Sequence, residues 1–358
     1  MPICKVCNRE SAVISREMGV CGDCIKNSYD ESQPYLHSAH LLSRKFFKLP
    51  VSVPSSENGI RCNVCANGCK IRDNERGYCG LKRNINGKLT SNDKGNYEWY
   101  YDMLPTNCVA DWVCPGGTGV GFPEFSYRQV PEYGYKNLAV FMENCNFNCL
   151  FCQNWHFREK ALNQPRREVG ELSTLITHDT ACVCFFGGDP TPQIEFIIKS
   201  IENILANKKN SILRICFETN GGMSRRYMEK IINYSLETGG CIKFDLKAWN
   251  NNLHQALCGV SNEATLENFK FATQFIKKRA KVPLIVASTL LIPGYVDVEE
   301  IRGISSFIAS IDPTIPYTLL AFHPNFFMDD LPATSKKHAE RCYEAAIDSG
   351  LKRVKIEY

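Results

Sequence analysis

The sequence predicts an α/β protein in which a partial (β/α)6 TIM-like barrel follows a cysteine-rich, metal-binding N-terminal region. Two observations carry this. From Asn137 onward, short apolar runs suited to buried parallel strands alternate with helical segments. Before that point cysteines recur at close, regular spacings and cohesive apolar patterns are few. Six strand–helix units suit an incomplete barrel better than the eight-unit form.

Taken in order, Cys4, Cys7, Cys21 and Cys24 form Cys-x2-Cys-x13-Cys-x2-Cys within residues 1–30. This reads as a zinc-ribbon-like Cys4 module, whose metal would fold a segment too small to have a core. A rubredoxin-like iron is the alternative. Residues 31–59 read as a linker ending in Pro-Val-Ser-Val-Pro-Ser-Ser-Glu-Asn. Residues 60–136 carry a second set, Cys62, Cys65, Cys69 and Cys79, able to hold a second zinc or an auxiliary iron–sulfur cluster. Cys108 and Cys114 follow as a looser pair. The barrel is expected over 137–358. Its strands are Leu138–Met142, Cys182–Phe186, Leu213–Glu218, Ile242–Leu246, Leu284–Leu291 and Tyr317–Ala321. Its helices are Gln193–Asn207, Arg225–Leu236, Leu266–Arg279, Val298–Ser310 and Lys336–Ser349. Cys182, Cys184, Cys216, Cys241 and Cys342 fall in these elements and read as small buried hydrophobes. Because every strand lies beyond Asn137, the barrel is expected to fold without the ribbon.

A chain of 358 residues that is 44% hydrophobic has room for one large domain and an appendage. A net charge of +4, from 42 basic and 38 acidic residues, gives no electrostatic case for a nucleic-acid partner. Nineteen cysteines without the apolar core of a signal peptide, and without a membrane-length apolar run, point to a cytoplasmic protein with reduced thiols.

Cys145, Cys149 and Cys152 lie in Cys-Asn-Phe-Asn-Cys-Leu-Phe-Cys. Three such thiolates can ligate three irons of a [4Fe–4S] cluster and leave the fourth open, where electron-transfer clusters use four cysteines. A zinc knuckle completed by a distant cysteine is the alternative. The barrel rule places active-site residues just after the strands. Those positions hold Gly187-Gly188-Asp189, Glu218-Thr219-Asn220-Gly221, Asp245-Leu246-Lys247, Ile292-Pro293-Gly294-Tyr295 and His323-Pro324.

The Cys-x3-Cys-x-aromatic-Cys run and these strand-end motifs resemble the radical S-adenosylmethionine (radical SAM) superfamily, in its pyruvate formate-lyase activating-enzyme branch. Leu257 to Asn262 resembles the Thr-Gly-x-x-Asn stretch of that branch, with Cys258 in place of Thr. Cys62 to Leu89 resembles the region before the barrel in the AmmeMemoRadiSam-like and PflX-like groups. The resemblance implies that S-adenosylmethionine chelates the open iron through its amino and carboxylate groups and that Phe151 touches its adenine. Gly187, Gly188 and Asp189 would hold its amine. Glu218, Thr219, Asp245 and Lys247 would surround it or a nearby cation, and His323 would face the pocket. The implied activity is an oxidoreductase in which reductive cleavage of S-adenosylmethionine yields a 5′-deoxyadenosyl radical that abstracts hydrogen. It further implies an anaerobic setting, a flavodoxin- or ferredoxin-type donor and a protein substrate such as a glycyl-radical enzyme. Radical modification of a small molecule, lipid or RNA base is the alternative. A non-enzymatic zinc-ribbon nucleic-acid-binding protein is the third reading.

Overall fold

The computed structural model describes residues 1–90 and 93–358. Its main sheet has eight strands: β1 (Tyr97–Met103), β2 (Lys136–Met142), β3 (Thr180–Gly187), β4 (Arg214–Thr219), β5 (Ile242–Asp245), β6 (Ile285–Leu291), β7 (Tyr317–Ala321) and β8 (Val354–Glu357). They lie side by side in chain order. β1 runs antiparallel to β2, and every later neighbour is parallel. β1 and β8 are the two unpaired edges, so the sheet stays open. The principal helices are α1 (Gly22–Asn27), α2 (Tyr29–Phe46), α3 (Ile194–Asn207), α4 (Arg225–Thr238), α5 (Asn251–Cys258), α6 (Glu263–Thr273), α7 (Val298–Ile311) and α8 (Lys336–Asp348).

The six expected strands and their helices form close to the expected bounds because both faces of each strand are covered. Outward residues such as Val183, Phe185, Ile215, Phe217, Ile242 and Phe244 are buried beneath the helices. Their partners include Ile197, Ile201 and Ile204, which recur at helical spacing on α3. The inward positions are polar or thiol-bearing, among them Arg214, Glu218, Lys243, Asp245 and Thr318.

The sheet starts before the expected bound, and one further strand, β8, follows the last expected one. β1 pairs with β2 along its whole length, so the sheet begins at Tyr97 instead of Asn137. Residues 104–135 then enter the sheet's concave side. Cys108 Sγ is 3.5 Å from Glu218 Oε1 on β4, Trp112 Nε1 donates to Thr318 Oγ1 on β7 (3.2 Å), and Asp111 pairs with Lys355 on β8 (3.3 Å). One short segment reaches β4, β7 and β8 only if the sheet curls around it.

The expected linker is another departure. Residues 29–46 form α2, whose buried positions Ser32, Leu36, Ala39 and Ser43 share one face. That face is mostly small and polar, so it carries no apolar pattern to read. The ribbon is also integral to the fold. Tyr295 Oη donates to Val20 O (2.9 Å) and accepts from Ser15 N (3.0 Å), and Ile14, Met18 and Val20 share one buried core with Ile292 and Tyr295. The ribbon thus packs against the end of β6 instead of standing apart from the barrel.

Candidate active site

The loop after β2 bends the three cysteines into the mouth of the barrel. Cys145, Cys149 and Cys152 line a cavity of about 240 Å3 at the C-terminal ends of the strands. Phe151, Gly187, Gly188, Asp189, Glu218, Asp245 and Lys247 line it too, as expected from their strand-end positions. Thr219 lies behind the wall, with its hydroxyl 3.1 Å from Asp189 Oδ2. His323 is corrected: it is exposed and lines no part of this cavity. β7 ends at Ala321, Phe322 is buried in the core, and His323 beyond it is exposed.

The Gly-Gly-Asp turn is built differently from expectation. A Cβ on Gly188 would lie 2.4 Å from Asn144 O, and Gly187 has φ +103° with its would-be Cβ 2.8 Å from Met142 N. The two glycines thus let the β3 end close against the cysteine loop, where no side chain fits. Asp189 is 3% exposed and ties adjacent loops together. Its Oδ1 accepts from Thr191 N (2.8 Å) and its Oδ2 from Asn220 N (2.7 Å). Burial pushes its pKa above the ordinary carboxylate value, although these hydrogen bonds oppose the shift.

Lys243, which sequence reasoning missed, sits at the centre of a charge network on the opposite wall. Its ammonium lies 3.0 Å from Glu218 Oε2 and 2.8 Å from Asp245 Oδ1, while Lys247 lies 3.2 Å from Asp245 Oδ2. Ser288 Oγ donates to Asp245 Oδ1 at 2.9 Å. Burial opposes ionisation of Asp245, but the charges of Lys243 and Lys247 hold it well below the ordinary range. Burial likewise opposes protonation of Lys243, and Asp245 and Glu218 overcome it. The signal was present: Lys243 and Asp245 are two apart on one face of β5, and Lys247 follows two residues on. Asn220, at its strand-end position, and Arg158, which sequence reasoning missed, also line the cavity. Asn220 Nδ2 lies 3.8 Å from Cys145 Sγ.

The cysteine loop is held from behind by a buried polar network. Asn148 Oδ1 accepts from Arg158 Nη1 (2.8 Å), and its amide donates to His40 Nδ1 and Ser43 Oγ (both 2.9 Å) on α2. Asn148 N also bonds Cys258 O at 2.8 Å. A hydrogen bond from the Cys258 side chain holds the Cys149 thiol down to about 7 against the effect of burial. Cys258 is fully buried and does not line the cavity. Three thiols therefore face the cavity, and the fourth stands behind one of them.

These residues fit a [4Fe–4S] cluster with one iron open to the cavity. A single tetrahedral ion with metal–sulfur bonds of about 2.3 Å would draw its sulfurs to about 3.8 Å from one another. The ribbon has that spacing: Cys7 Sγ and Cys21 Sγ are 3.9 Å apart, and the ligand atoms of Cys4, Cys7, Cys21 and Cys24 all lie within 4.8 Å. Among the described residues it is the one group of three or more His, Cys, Asp or Glu so closed. The Cys145 triplet and the set Cys62, Cys65, Cys69 and Cys79 are both more open. In the second set burial, then the charges of Cys79, Cys69 and Cys62, pushes the Cys65 thiol well up. Cys182 is no inert hydrophobe: its Sγ lies 3.2 Å from Arg214 Nε and 3.1 Å from Nη2.

Comparison with known proteins agrees with this geometry. A family model described as the radical SAM superfamily matches residues 139–308. The chain is 26% identical over 306 residues to an uncharacterized protein of Methanocaldococcus jannaschii, covering 84% of this chain and 81% of that one. It is 30% identical over 191 residues to the pyruvate formate-lyase 1-activating enzyme of Escherichia coli, covering 51% of this chain and 73% of the relative. A crystal structure of a domain of pyruvate-formate lyase-activating enzyme from Bacteroides vulgatus aligns with a TM-score of 0.39 and 23% identity, over 49% of this chain and 98% of that one. No helix among the described residues is long and apolar enough to cross a membrane. With three thiols turned into a strand-end cavity and a related activating enzyme matched over most of its length, the chain belongs to the radical SAM superfamily.

Proposed function

We propose that the protein is an activating-enzyme-like radical SAM oxidoreductase that abstracts hydrogen from a protein substrate. The observation that carries this is the convergence of Cys145, Cys149 and Cys152 on one cavity while Cys258 stays outside it. Cys145, Cys149 and Cys152 would hold a [4Fe–4S] cluster, which would supply the one-electron reduction that cleavage of S-adenosylmethionine requires. The chain's own residues then have separable tasks. Phe151 and the turn 187–189 would flank the cofactor. Asp189 has one carboxylate shared by two loops, and it fixes the wall as well as offering an acceptor to an ammonium. The Lys243–Asp245–Lys247 network holds fixed charges of both signs where a zwitterionic ligand needs them. The segment 104–135 fills the barrel from below, with Val109 at the cavity wall, and so limits water near a reactive radical.

Metal at the ribbon would be structural, with zinc and iron both suited to four thiolates at that spacing. The same plug supports a second reading, a small-molecule substrate, because it narrows the cavity reached from below. The deciding experiment is deoxyadenosine formation by the reduced, reconstituted enzyme with macromolecular and small-molecule fractions of cell extract added separately. Stimulation by the macromolecular fraction, abolished by protease, is expected. Stimulation confined to the small-molecule fraction would replace the protein-substrate reading with the second.

A further inference from the structure

The most deeply buried arginines are Arg44, Arg158 and Arg214, and they differ in what balances their charge. Arg214 has the carboxylate of Glu132 beside it. Among the described residues no carboxylate pairs with the other two. Arg44 is satisfied by carbonyls, donating to Pro50 O and Tyr78 O with its Cζ 3.5 Å from the centre of the Tyr78 ring. Arg158 has less. Its Nη1 donates to Asn148 Oδ1 at 2.8 Å, its Nε has no hydrogen-bond partner, and the Phe157 and Phe326 rings each lie 5.0 Å from its Cζ. A cation buried to 2% exposure without an anion is costly, because desolvation is not offset by attraction.

Arg158 lines the cavity together with Cys145, Cys149 and Cys152. The other charges there are already matched. Lys243 lies between Glu218 and Asp245, Lys247 pairs with Asp245, and Asp189 accepts from the N–H groups of Thr191 and Asn220. The guanidinium is the unmatched one, and the anion that it calls for belongs in the cavity.

We propose that Arg158 is the fixed counter-charge of the cluster held by the three cysteines and raises the potential at which that cluster is reduced. This role rests on the radical SAM reading of the triplet and adds a residue to it. A doubly positive cluster core bound by three thiolates has one net negative charge, and reduction adds a second. Net charge is among the quantities that set such potentials. A guanidinium stays protonated at any working pH, and a buried charge is little screened, so Arg158 favours the more negative, reduced state. Its anchor is Asn148, the residue before Cys149, and the Asn148 amide is itself fixed by His40 and Ser43. That placement favours the cluster over the carboxylate of S-adenosylmethionine as the partner. The electron comes from an external low-potential donor, and Arg158 gains or loses neither electron nor proton.

The test uses the full chain, reconstituted anaerobically with iron and sulfide, as wild type, Arg158→Met, Arg158→Gln and Arg158→Lys. The potential is titrated without S-adenosylmethionine, from the paramagnetic signal that Cys149→Ala abolishes. Both neutral variants should be at least about tenfold harder to reduce, a fall of about 59 mV for one electron. Arg158→Lys should stay near the wild-type value. Loss of the cluster from both neutral variants, with Arg158→Lys loaded, would support the same role. Equal falls in all three, or equal loss of cluster or fold, would mean that the guanidinium only supports Asn148 and would overturn the proposal. Unchanged potentials in the neutral variants would overturn it too, and weaker S-adenosylmethionine binding would then assign Arg158 to the cofactor's carboxylate. Should neither neutral variant fold without the cluster while Arg158→Lys does, the cation has its partner in the protein itself and the proposal also fails. A wild type that takes up no iron at the triplet would instead refute the radical SAM reading.

Discussion

Asp189 joins the ends of β3 and β4, and its carboxylate has more to do than bind a cofactor. Replacing it by Ala removes the acceptor for Thr191 N, Asn220 N and the Thr219 hydroxyl at once. Hydrogen bonds to a charged group contribute about 1.5–3 kcal/mol. Asp189→Ala should therefore lower unfolding stability by at least about 1.5 kcal/mol and weaken S-adenosylmethionine binding as well. Asp189→Asn, which keeps one acceptor but sets its NH2 against the other backbone N–H, should recover only part of the stability and little of the affinity. Denaturant unfolding and equilibrium dialysis check this, and an Ala variant of unchanged stability would contradict the shared role. His40 gives a second test at this scale. Burial lowers its pKa to about 4, and with Asn148 donating to Nδ1 the neutral ring donates from Nε2 to Ala256 O (3.0 Å). Protonation of Nδ1 would set two donors against each other. Because the folded value lies below the unfolded one, its contribution is complete above about pH 6.5 and is lost as pH falls toward 4. By pH 5 the loss should approach about 2 kcal/mol. His40→Gln should show correspondingly less acid destabilisation between pH 6.5 and 5, and an identical pH profile would rule this role out.

Among the elements, the segment 104–135 has the largest consequence that its sequence does not announce. Glu132 and Arg214 are 0% and 1% exposed and pair inside the barrel, Arg214 Nη1 lying 3.0 Å from Glu132 Oε1. Glu132 Oε1 also accepts from Ser126 Oγ (2.8 Å) and Tyr127 N (2.7 Å). Removing one partner of such a pair leaves an uncompensated buried charge and costs about 3–5 kcal/mol. Glu132→Ala should show a loss of that size in denaturant unfolding, and less than about 1 kcal/mol would mean that the plug is not anchored there. What was legible follows the same physics. The six strands could be read because both faces are covered, which makes their apolar runs continuous. β1 could not, since Tyr100, Tyr101 and Met103 are exposed on an edge strand. Nor could α2, whose buried face is built from Ser32, Ala39 and Ser43 around one Leu36. In the site, residues with distinctive motifs were found. Lys243 was missed although Asp245, its partner, stands two residues on, and Arg158 because no local motif marks it.

At the scale of the whole molecule, three cysteine sets occupy three kinds of place. The ribbon closes on itself and seals against Pro293–Tyr295 through Tyr295 and Gly22, whose would-be Cβ would lie 2.5 Å from Gly294 O. The middle set lies between surface and barrel, and the triplet faces the cavity. Only the triplet stands where strand-end residues from β3 to β7 converge, which is where a barrel does its chemistry. The central claim is that these three thiols make the chain a radical SAM enzyme. The most direct measurement is deoxyadenosine formed anaerobically from S-adenosylmethionine and dithionite by reconstituted wild type and by Cys145→Ala, Cys149→Ala and Cys152→Ala. Wild type should form deoxyadenosine and methionine in equal amounts, and each variant should form none above background. A variant that keeps wild-type formation, or a wild type with a full iron complement that forms none, would contradict the account.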